Sequence, residues 1–202
     1  MTERDQATED RIFEAARAVF HEQGFDGARM QEIARRAEIN HSMLHYYYRS
    51  KGRLFDAVFR RAAMDLMPPI LEVLRSDLPL AEKLQAFVDN HLRTIRENPH
   101  MPGFVLLELR RNPSALRDVI GTAAAGVMER FREDVRGAVE ARKIRPIGPE
   151  DLLANVLGLC VMPVLSRPML QTATGMDNEA YDAFLARRAG SVKAFLMDAL
   201  RP

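Results

Sequence analysis

The sequence predicts an all-α protein of about nine helices, on three observations. Apolar residues recur at offsets of three and four along most of the chain, as one face of a helix requires. No segment shows the alternation of apolar and polar residues, bounded by turn residues, that is typical of a strand. Proline and glycine interrupt the helical pattern at intervals, and these interruptions set the expected helix ends.

An apolar stripe predicts the first helix, with Gly24 as its left-handed C-cap. A short second helix follows, and a third begins three residues later with Asn40 suited to the N-cap. Ser50 is expected to cap a fourth helix, and Pro68–Pro69 predicts a kink or boundary. The apolar positions of the four helices are Ile12, Ala15, Ala16, Val19 and Phe20; Met30, Ile33, Ala34 and Ala37; Met43, Leu44 and Tyr47; and Leu54, Phe55, Val58, Phe59, Ala62 and Ala63.

Longer helices are predicted after the proline pair, at about 79–97, 103–111, 114–142, 149–166 and 178–200. The last two carry more apolar surface than one chain needs, so a second copy of the chain is the expected partner. The residues predicted at this homodimer interface are Leu152, Val156, Leu159, Phe184, Arg188, Val192 and Phe195.

The composition is that of a folded chain of 202 residues, with 47% hydrophobic and 28% charged residues. A net charge of +1 excludes a basic field over the whole molecule, so a nucleic-acid site must be a local patch. The single cysteine, Cys160, excludes an internal disulfide. The N-terminal residues lack a signal peptide's apolar core. The longest uncharged stretch, 152–166, would span about 22 Å as a helix, which is too short to cross the core of a bilayer. We therefore expect a cytoplasmic protein with no membrane partner.

The second and third helices show the spacing of a helix-turn-helix, in which the second helix of the pair enters the major groove of DNA. From Arg29 to Arg61 there are eight basic residues and three acidic ones, a local net charge of +5. Three of these cations, Arg49, Lys51 and Arg53, crowd the start of the fourth helix, where the helix dipole disfavours them unless an anion docks there. Tyrosines 46–48 are consecutive, so at least one of them must be exposed on a helix. The exposed tyrosine is either a surface residue without a role or one whose hydroxyl contacts a phosphate.

The stretch from Ile12 to about Ala62 resembles the DNA-binding domain of the TetR (tetracycline repressor) family of transcriptional regulators. The resemblance rests on Gly24-Phe25, Ile33-Ala34, Ala37, residues 39–48, Ser50-Lys51 and Leu54. It implies that His41, Ser42 and Met43 face bases, that His45, Tyr46 and Lys51 lie at phosphates, and that Arg29 and Arg49 flank them.

The resemblance also implies a helix-turn-helix domain over 1–52, a connecting helix at about 51–67, and a ligand-binding and dimerisation domain over 68–202. The chain departs from the family pattern at Glu38, where glycine is frequent. If this position is left-handed, it carries a strain of roughly 1 kcal/mol.

Other groups of residues that could form a metal, phosphate or catalytic site give weaker signals. His41 and His45 share a helix face but lack a third ligand nearby, so no metal is expected. Gly121 to Gly126 lacks the Lys-Ser/Thr of a phosphate loop, and Cys160 lies in an apolar run typical of a core. Neither catalysis nor a cofactor is predicted.

Methionine and aromatic side chains of the C-terminal helices suit an adaptable apolar pocket and equally suit an ordinary core. Glu108 is either a pocket acid or, as the sequence favours, a solvent-facing residue beside Arg110–Arg111. The candidate pocket residues are Phe87, His91, Phe104, Leu107, Glu108, Met128, Phe131 and Met162.

Taken together, these patterns predict a homodimeric transcriptional regulator, expected to be a repressor that a small apolar ligand releases from a palindromic DNA operator. Its two reading helices would lie about 34–36 Å apart, one turn of DNA. Two alternatives stay open. One is a helical small-molecule carrier or enzyme without DNA binding, and the other is a regulator whose C-terminal half only oligomerises.

Overall fold

The computed structural model describes residues 3–99 and 101–202, except the side chains of residues 3, 4, 65, 66, 69, 115–120 and 122–124. These residues form α-helices and no strand, so the predicted all-α class is confirmed. The helices of the described chain are α1 Glu3–Gly27, α2 Met30–Arg36, α3 His41–Tyr48, α4 Lys51–Arg75, α5 Leu80–Glu97, α6 Met101–Arg111, α7 Ala115–Glu140, α8 Pro149–Leu165, α9 Arg167–Thr174 and α10 Asn178–Ala199.

The chain divides into two compact units. The first unit comprises Met1–Asp65 and Gly103–Val119, and the second comprises Leu66–Pro102 and Ile120–Pro202. The first unit therefore contains most of α6 in addition to the N-terminal helices. The hydrophobic spacing of the sequence did not indicate this grouping, because spacing shows which face of a helix is apolar and not which helices meet.

Aromatic rings form much of the core of the first unit. Phe20 and Phe55 meet edge to face at 4.8 Å between ring centroids, and Phe25 meets Phe55 in the same way at 5.1 Å. Phe104 of α6 lies 4.9 Å from Phe55 and completes the cluster. Edge-to-face pairs stabilise a core beyond the apolar area they bury, so this cluster holds α1, α4 and α6 together.

Gly24 interrupts α1 but does not end it. Its φ of 68° and ψ of 178° form a break inside the helix, which resumes and runs to Gly27. The predicted left-handed C-cap is therefore wrong in detail, because the observed ψ belongs to a conformation that is open essentially only to glycine. A Cβ at this position would also meet Leu107 of α6 at 3.9 Å.

The turn between α2 and α3 is a Schellman motif. The N–H of Ile39 donates to the carbonyl of Ala34 at 3.0 Å, and that of Glu38 donates to the carbonyl of Arg35 at 3.2 Å. Glu38 itself has a φ of 56°, so the left-handed conformation that the sequence raised as a condition is confirmed. The turn satisfies the last carbonyls of α2 and fixes the direction in which α3 begins.

The second unit packs α5 against α8 and α10. Tyr181 of α10 is fully buried, and its hydroxyl donates to the carbonyl of Pro163 in α8 at 2.8 Å. Lys83 of α5 is also fully buried, where its ammonium group donates to the carboxylate of Asp134 and, at 3.2 Å, to the carbonyl of Leu74. Both buried polar groups are therefore hydrogen-bonded within an otherwise apolar core. Such partners are the condition for burying a polar or charged side chain.

Two helix boundaries differ from the prediction. α4 continues past Pro68 to Arg75, so the proline pair does not end the helix. The sequence does not predict α9, because Pro168 interrupts the helical pattern between 149–166 and 178–200, although proline also suits the first turn of a new helix. Gly175 ends α9 in the left-handed conformation, with φ 72° and ψ 11°. Among the described residues no single helix is long and apolar enough to span a membrane, and α8 with α9 passes that test only as a pair bent by 75°.

The strain at Glu38 gives a stability prediction. Replacing Glu38 by glycine removes the Cβ that disfavours a positive φ, so we expect the free energy of unfolding to rise by about 1 kcal/mol. Thermal unfolding followed by circular dichroism measures the effect. Glu38→Ala is the matched control, since it loses the same exposed carboxylate but keeps the Cβ. A glycine variant no more stable than the alanine variant would contradict the argument.

Candidate DNA-binding surface

Helix α3 exposes one continuous face, which we call the α3 face and define by His41, Ser42, Met43, His45 and Tyr46. All five side chains are exposed, and Tyr46 is 79% accessible. Leu44, between them, is fully buried in the first unit. The structure thus brings together the five residues of this helix that the family resemblance places at bases and phosphates, and one apolar side chain anchors the helix.

Both ends of α3 are fixed by hydrogen bonds. The side-chain oxygen of Asn40 accepts from the backbone N–H of Met43 at 2.6 Å, which confirms the predicted N-cap. At the other end, Arg49 has a φ of 52° and its N–H donates to the carbonyl of His45 at 2.9 Å. Because an eight-residue helix is unstable alone in water, these caps are needed to hold its face in one orientation.

The three consecutive tyrosines divide between packing and exposure. The hydroxyl of Tyr47 lies 3.5 Å from the carboxylate of Asp5, and Tyr48 packs edge to face against Phe13 at 6.1 Å. Burial raises the pKa of Tyr48 to about 12, so its ring belongs to the packed side of the helix. Tyr46 alone of the three is free to contact a ligand with its whole ring.

The basic residues from 29 to 61 fall into two groups. Arg35 and Arg36 both pair with Glu32, Arg36 also pairs with Glu22, and Arg61 pairs with Asp10. The hydrogen bonds from the two arginines lower the pKa of Glu32 to about 2. The exposed cations with no ion-pair partner among the described residues are Arg29, Arg49, Arg53 and Arg60. This second group leaves uncompensated positive charge on the first unit.

Lys51 differs from those cations. Its ammonium group donates to the carbonyls of Asp26 and Ala28, each at 3.1 Å, and lies 4.7 Å from the centre of the Phe25 ring. The side chain is half-buried between the start of α4 and the turn that joins α1 to α2. The family resemblance implies a phosphate contact for this lysine, and the sequence did not predict these internal contacts.

Arg111 of α6 is a second cation that sequence reasoning missed. Its guanidinium group bonds the carboxylates of Glu108 and Asp56 and lies 4.6 Å and 4.9 Å from the ring centres of Phe25 and Phe55. Glu108 is only 1% exposed, so the favoured solvent-facing position was wrong. Its carboxylate is instead satisfied by two hydrogen bonds from Arg111. The adjacent arginines 110 and 111 at the end of α6 did not indicate in the sequence that the Arg111 side chain packs against the aromatic core.

The candidate pocket residues separate between the two units. Phe104, Leu107 and Glu108 belong to the first unit, and the other five belong to the second. In the second unit Phe131 and Phe87 are core residues with Met128 packed against that core, whereas Met162 is 52% exposed. The ring of His91 stacks on that of Phe87, with centroids 5.3 Å apart.

The buried imidazole of His91 is chemically unusual. It is 8% exposed, and neither of its ring nitrogens has a hydrogen-bond partner among the described residues. Burial lowers its pKa, so the neutral form is favoured. An unpaired polar group in a core costs free energy, and this cost is what a ligand that pairs with it would recover.

The predicted dimer interface needs correction at three positions. Leu152, Val156 and Val192 are each 1% exposed within a single chain, because they fill the core of the second unit. They therefore have no surface to offer a partner. Of the remaining residues, Phe195 is 60% exposed, Leu159 and Phe184 are half-buried, and Arg188 donates to the carbonyl of Leu159 at 3.1 Å.

No catalytic or metal chemistry emerges from the described residues. Burial raises the pKa of Cys160 to about 11, the opposite of what a nucleophilic thiol needs. His41 and His45 have ring centroids 6.3 Å apart, and no cluster of three or more potential metal ligands occurs in the described part of the chain.

Known proteins share both the N-terminal motif and the whole fold. Residues 12–58 match the model of the bacterial regulatory proteins of the tetR family. The regulator RutR of Escherichia coli (strain K12) is 23% identical over 191 residues, which cover 95% of this chain and 89% of RutR. The repressor SCO4008 of Streptomyces coelicolor is 45% identical over 67 residues, 33% of this chain and 35% of that repressor.

Two solved structures have the same fold as the whole chain. A transcriptional regulator of Streptomyces coelicolor, SCO4942, gives a TM-score of 0.71 at 19% identity and covers 96% of this chain and 99% of its own. The regulator FadR of Bacillus subtilis, solved with stearoyl-CoA, gives a TM-score of 0.65 at 16% identity. The match covers 96% of this chain and 100% of the FadR chain. With the exposed α3 face and the matched segment, these likenesses support a transcriptional regulator of the TetR type.

Proposed function

We propose that this regulator is a homodimeric repressor that reads a palindromic operator with the α3 face and leaves it when a small, mainly apolar molecule binds. The observation that carries the proposal is the α3 face itself, five exposed side chains on a short helix that is capped at both ends. In this proposal residues 1–52 bind DNA, a connecting helix spans about 51–67, and residues 68–202 bind the ligand and the partner chain. Such a protein works in the cytoplasm, on the nucleoid.

The chemistry of the α3 face suits direct reading of base pairs. His41 and Ser42 offer hydrogen-bond donors and acceptors at the start of the helix, and the exposed thioether of Met43 suits the methyl group of thymine. His45 and Tyr46, one turn later, would contact phosphates, with Arg29 and Arg49 on either side. The uncompensated arginines supply the attraction that the nearly neutral whole chain lacks, so binding should weaken steeply with salt.

A second copy of the chain is the proposed partner of the exposed apolar residues of α8 and α10. Phe195, Phe184 and Leu159 form the revised apolar set, since the other predicted apolar positions are buried within the chain. Pairing two copies through these helices would place two α3 faces about 34–36 Å apart, which matches successive major grooves on one side of DNA.

An effector site in the second unit is supported by His91. Its two unpaired nitrogens lie in an apolar core beside Phe87, where a mainly apolar molecule with one polar group would find both kinds of contact. Such a ligand would release DNA by favouring a conformer with altered spacing of the two heads. A saturable thermal shift with a library of apolar compounds separates this function from a C-terminal half that only oligomerises.

The relatives favour the regulator over the remaining alternative, a helical carrier or enzyme. A helical carrier or enzyme would leave the basic N-terminal end as a solvated face. The curated relatives and the solved structures of similar fold are described as transcriptional regulators, and none of those named above is described as an enzyme.

The DNA-binding proposal is tested by selecting bound sequences from random duplex DNA with the purified protein. We expect enrichment of an inverted repeat with half-sites one helical turn apart. Arg29→Ala should weaken binding to the enriched duplex about tenfold, because the exposed guanidinium beside the α3 face is lost. Lys143→Ala, which removes an exposed cation from the second unit, is the matched control. Enrichment of a single half-site, or equal loss in both variants, would contradict the proposal.

The dimer proposal is tested at Phe195. Phe195→Glu places a charge on the 60% exposed apolar ring that we assign to the partner surface, so the dimer should dissociate at micromolar concentration. Analytical ultracentrifugation measures the change. Met169→Glu alters an equally exposed apolar residue, 61% accessible, on α9, outside the proposed set, and should leave the dimer intact. A Phe195→Glu variant that remains dimeric would move the interface elsewhere.

A further inference from the structure

The contacts of Lys51 suggest a different task from that of its neighbours. Arg49 and Arg53 are exposed, whereas Lys51 is half-buried and its ammonium group spends two of its three N–H donors on carbonyl oxygens. Those carbonyls belong to Asp26 and Ala28, at the turn where α1 ends and α2 begins. The last carbonyls of a helix have no partner within it, so the lysine satisfies groups that the backbone leaves open.

The position of Lys51 in α4 points the same way. It is the first residue of that helix, where the helix dipole disfavours a cation. A docked phosphate would offset this cost only when DNA is bound. The two carbonyls and the face of the Phe25 ring offset it in the free protein, at 3.1 Å, 3.1 Å and 4.7 Å. The cation therefore has three partners without DNA.

The turn that Lys51 holds carries one of the proposed DNA contacts. The carbonyl of Ala28 is part of the peptide group that continues into Arg29, the exposed N-cap residue of α2. Arg29 makes no side-chain capping bond, so the backbone of this turn sets where its guanidinium group begins. A contact at the start of α4 thus fixes the origin of a side chain that the proposed function places beside the α3 face.

We propose that Lys51 is a positioning residue for operator binding. It clamps the turn between α1 and α2 so that Arg29 and the α3 face meet the DNA together, and it does not bind a phosphate itself. This inference rests on the proposed DNA-binding function. It departs from the role that the family resemblance implied for this lysine.

Salt dependence separates the two roles, because each phosphate contact adds about 0.9 to the slope of log affinity against log salt concentration. Lys51→Met is compared with Arg53→Met, which removes an exposed cation that has no ion-pair partner among the described residues. Each variant is titrated with the duplex enriched by selection and with an unrelated duplex of equal length, in several potassium chloride concentrations. Circular dichroism sets a temperature at which every variant is folded.

For Lys51→Met we expect about tenfold weaker binding to the selected duplex, an unchanged salt slope, and little change on the unrelated duplex. For Arg53→Met we expect a slope lower by about 0.9 and parallel weakening on both duplexes. Phe25→Leu removes the ring beneath the ammonium group without changing any charge, and it should reproduce the Lys51→Met pattern in a weaker form. This third variant keeps the test decisive if Lys51→Met does not fold.

A salt slope that falls by about 0.9 in Lys51→Met, with both duplexes weakened equally, would show a phosphate contact and overturn the inference. Unchanged affinity in folded Lys51→Met would overturn it as well, since the clamp would then be dispensable. Failure of the DNA-binding function is a separate outcome, because the wild-type protein would then retain neither duplex at low salt.

Discussion

The DNA-binding end of this protein depends on holding an eight-residue helix rigid with one buried side chain. Helix α3 buries only Leu44 among its residues, and a helix of this length does not persist alone in water. Its order comes from the Schellman turn before it, the Asn40 cap and the packing of Tyr47 and Tyr48 toward α1. Because these contacts occupy one side of the helix, the opposite side remains free to meet a ligand.

A cluster of cations and aromatic rings gives the same unit further support. Phe25 lies within 5 Å of both Lys51 and Arg111, and Arg111 also reaches Phe55, Asp56 and the buried Glu108. Carboxylates neutralise Arg111, and carbonyl oxygens accept hydrogen bonds from Lys51, so the partial burial of each charge is compensated. The cluster ties α1, α4 and α6 into one unit, which explains why residues 103–119 group with the N-terminal helices.

The sequence predicted the all-α class and the N-terminal helices because the spacing of apolar residues, the capping residues and the helix-breaking prolines and glycines are local signals. The Asn40 cap and the left-handed Glu38 were both visible in this way. The roles of Lys51, Glu108 and Arg111 were not visible, because they depend on which helices meet across long stretches of chain. The same limit misplaced Leu152, Val156 and Val192 at a partner surface, since an apolar stripe does not reveal whether its own chain covers it. Whether the remaining site residues touch DNA, ligand or partner stays a prediction.

Hydrogen–deuterium exchange of residues 41–48 tests most directly whether the fold presents a preformed reading helix. Peptides from this segment are followed by mass spectrometry in the free protein and with the selected duplex. The account predicts slow exchange in the free protein, well below the rate of an unfolded peptide, and further slowing when the duplex is added. Exchange of the free segment at the unfolded rate, or exchange that the duplex leaves unchanged, would contradict the account.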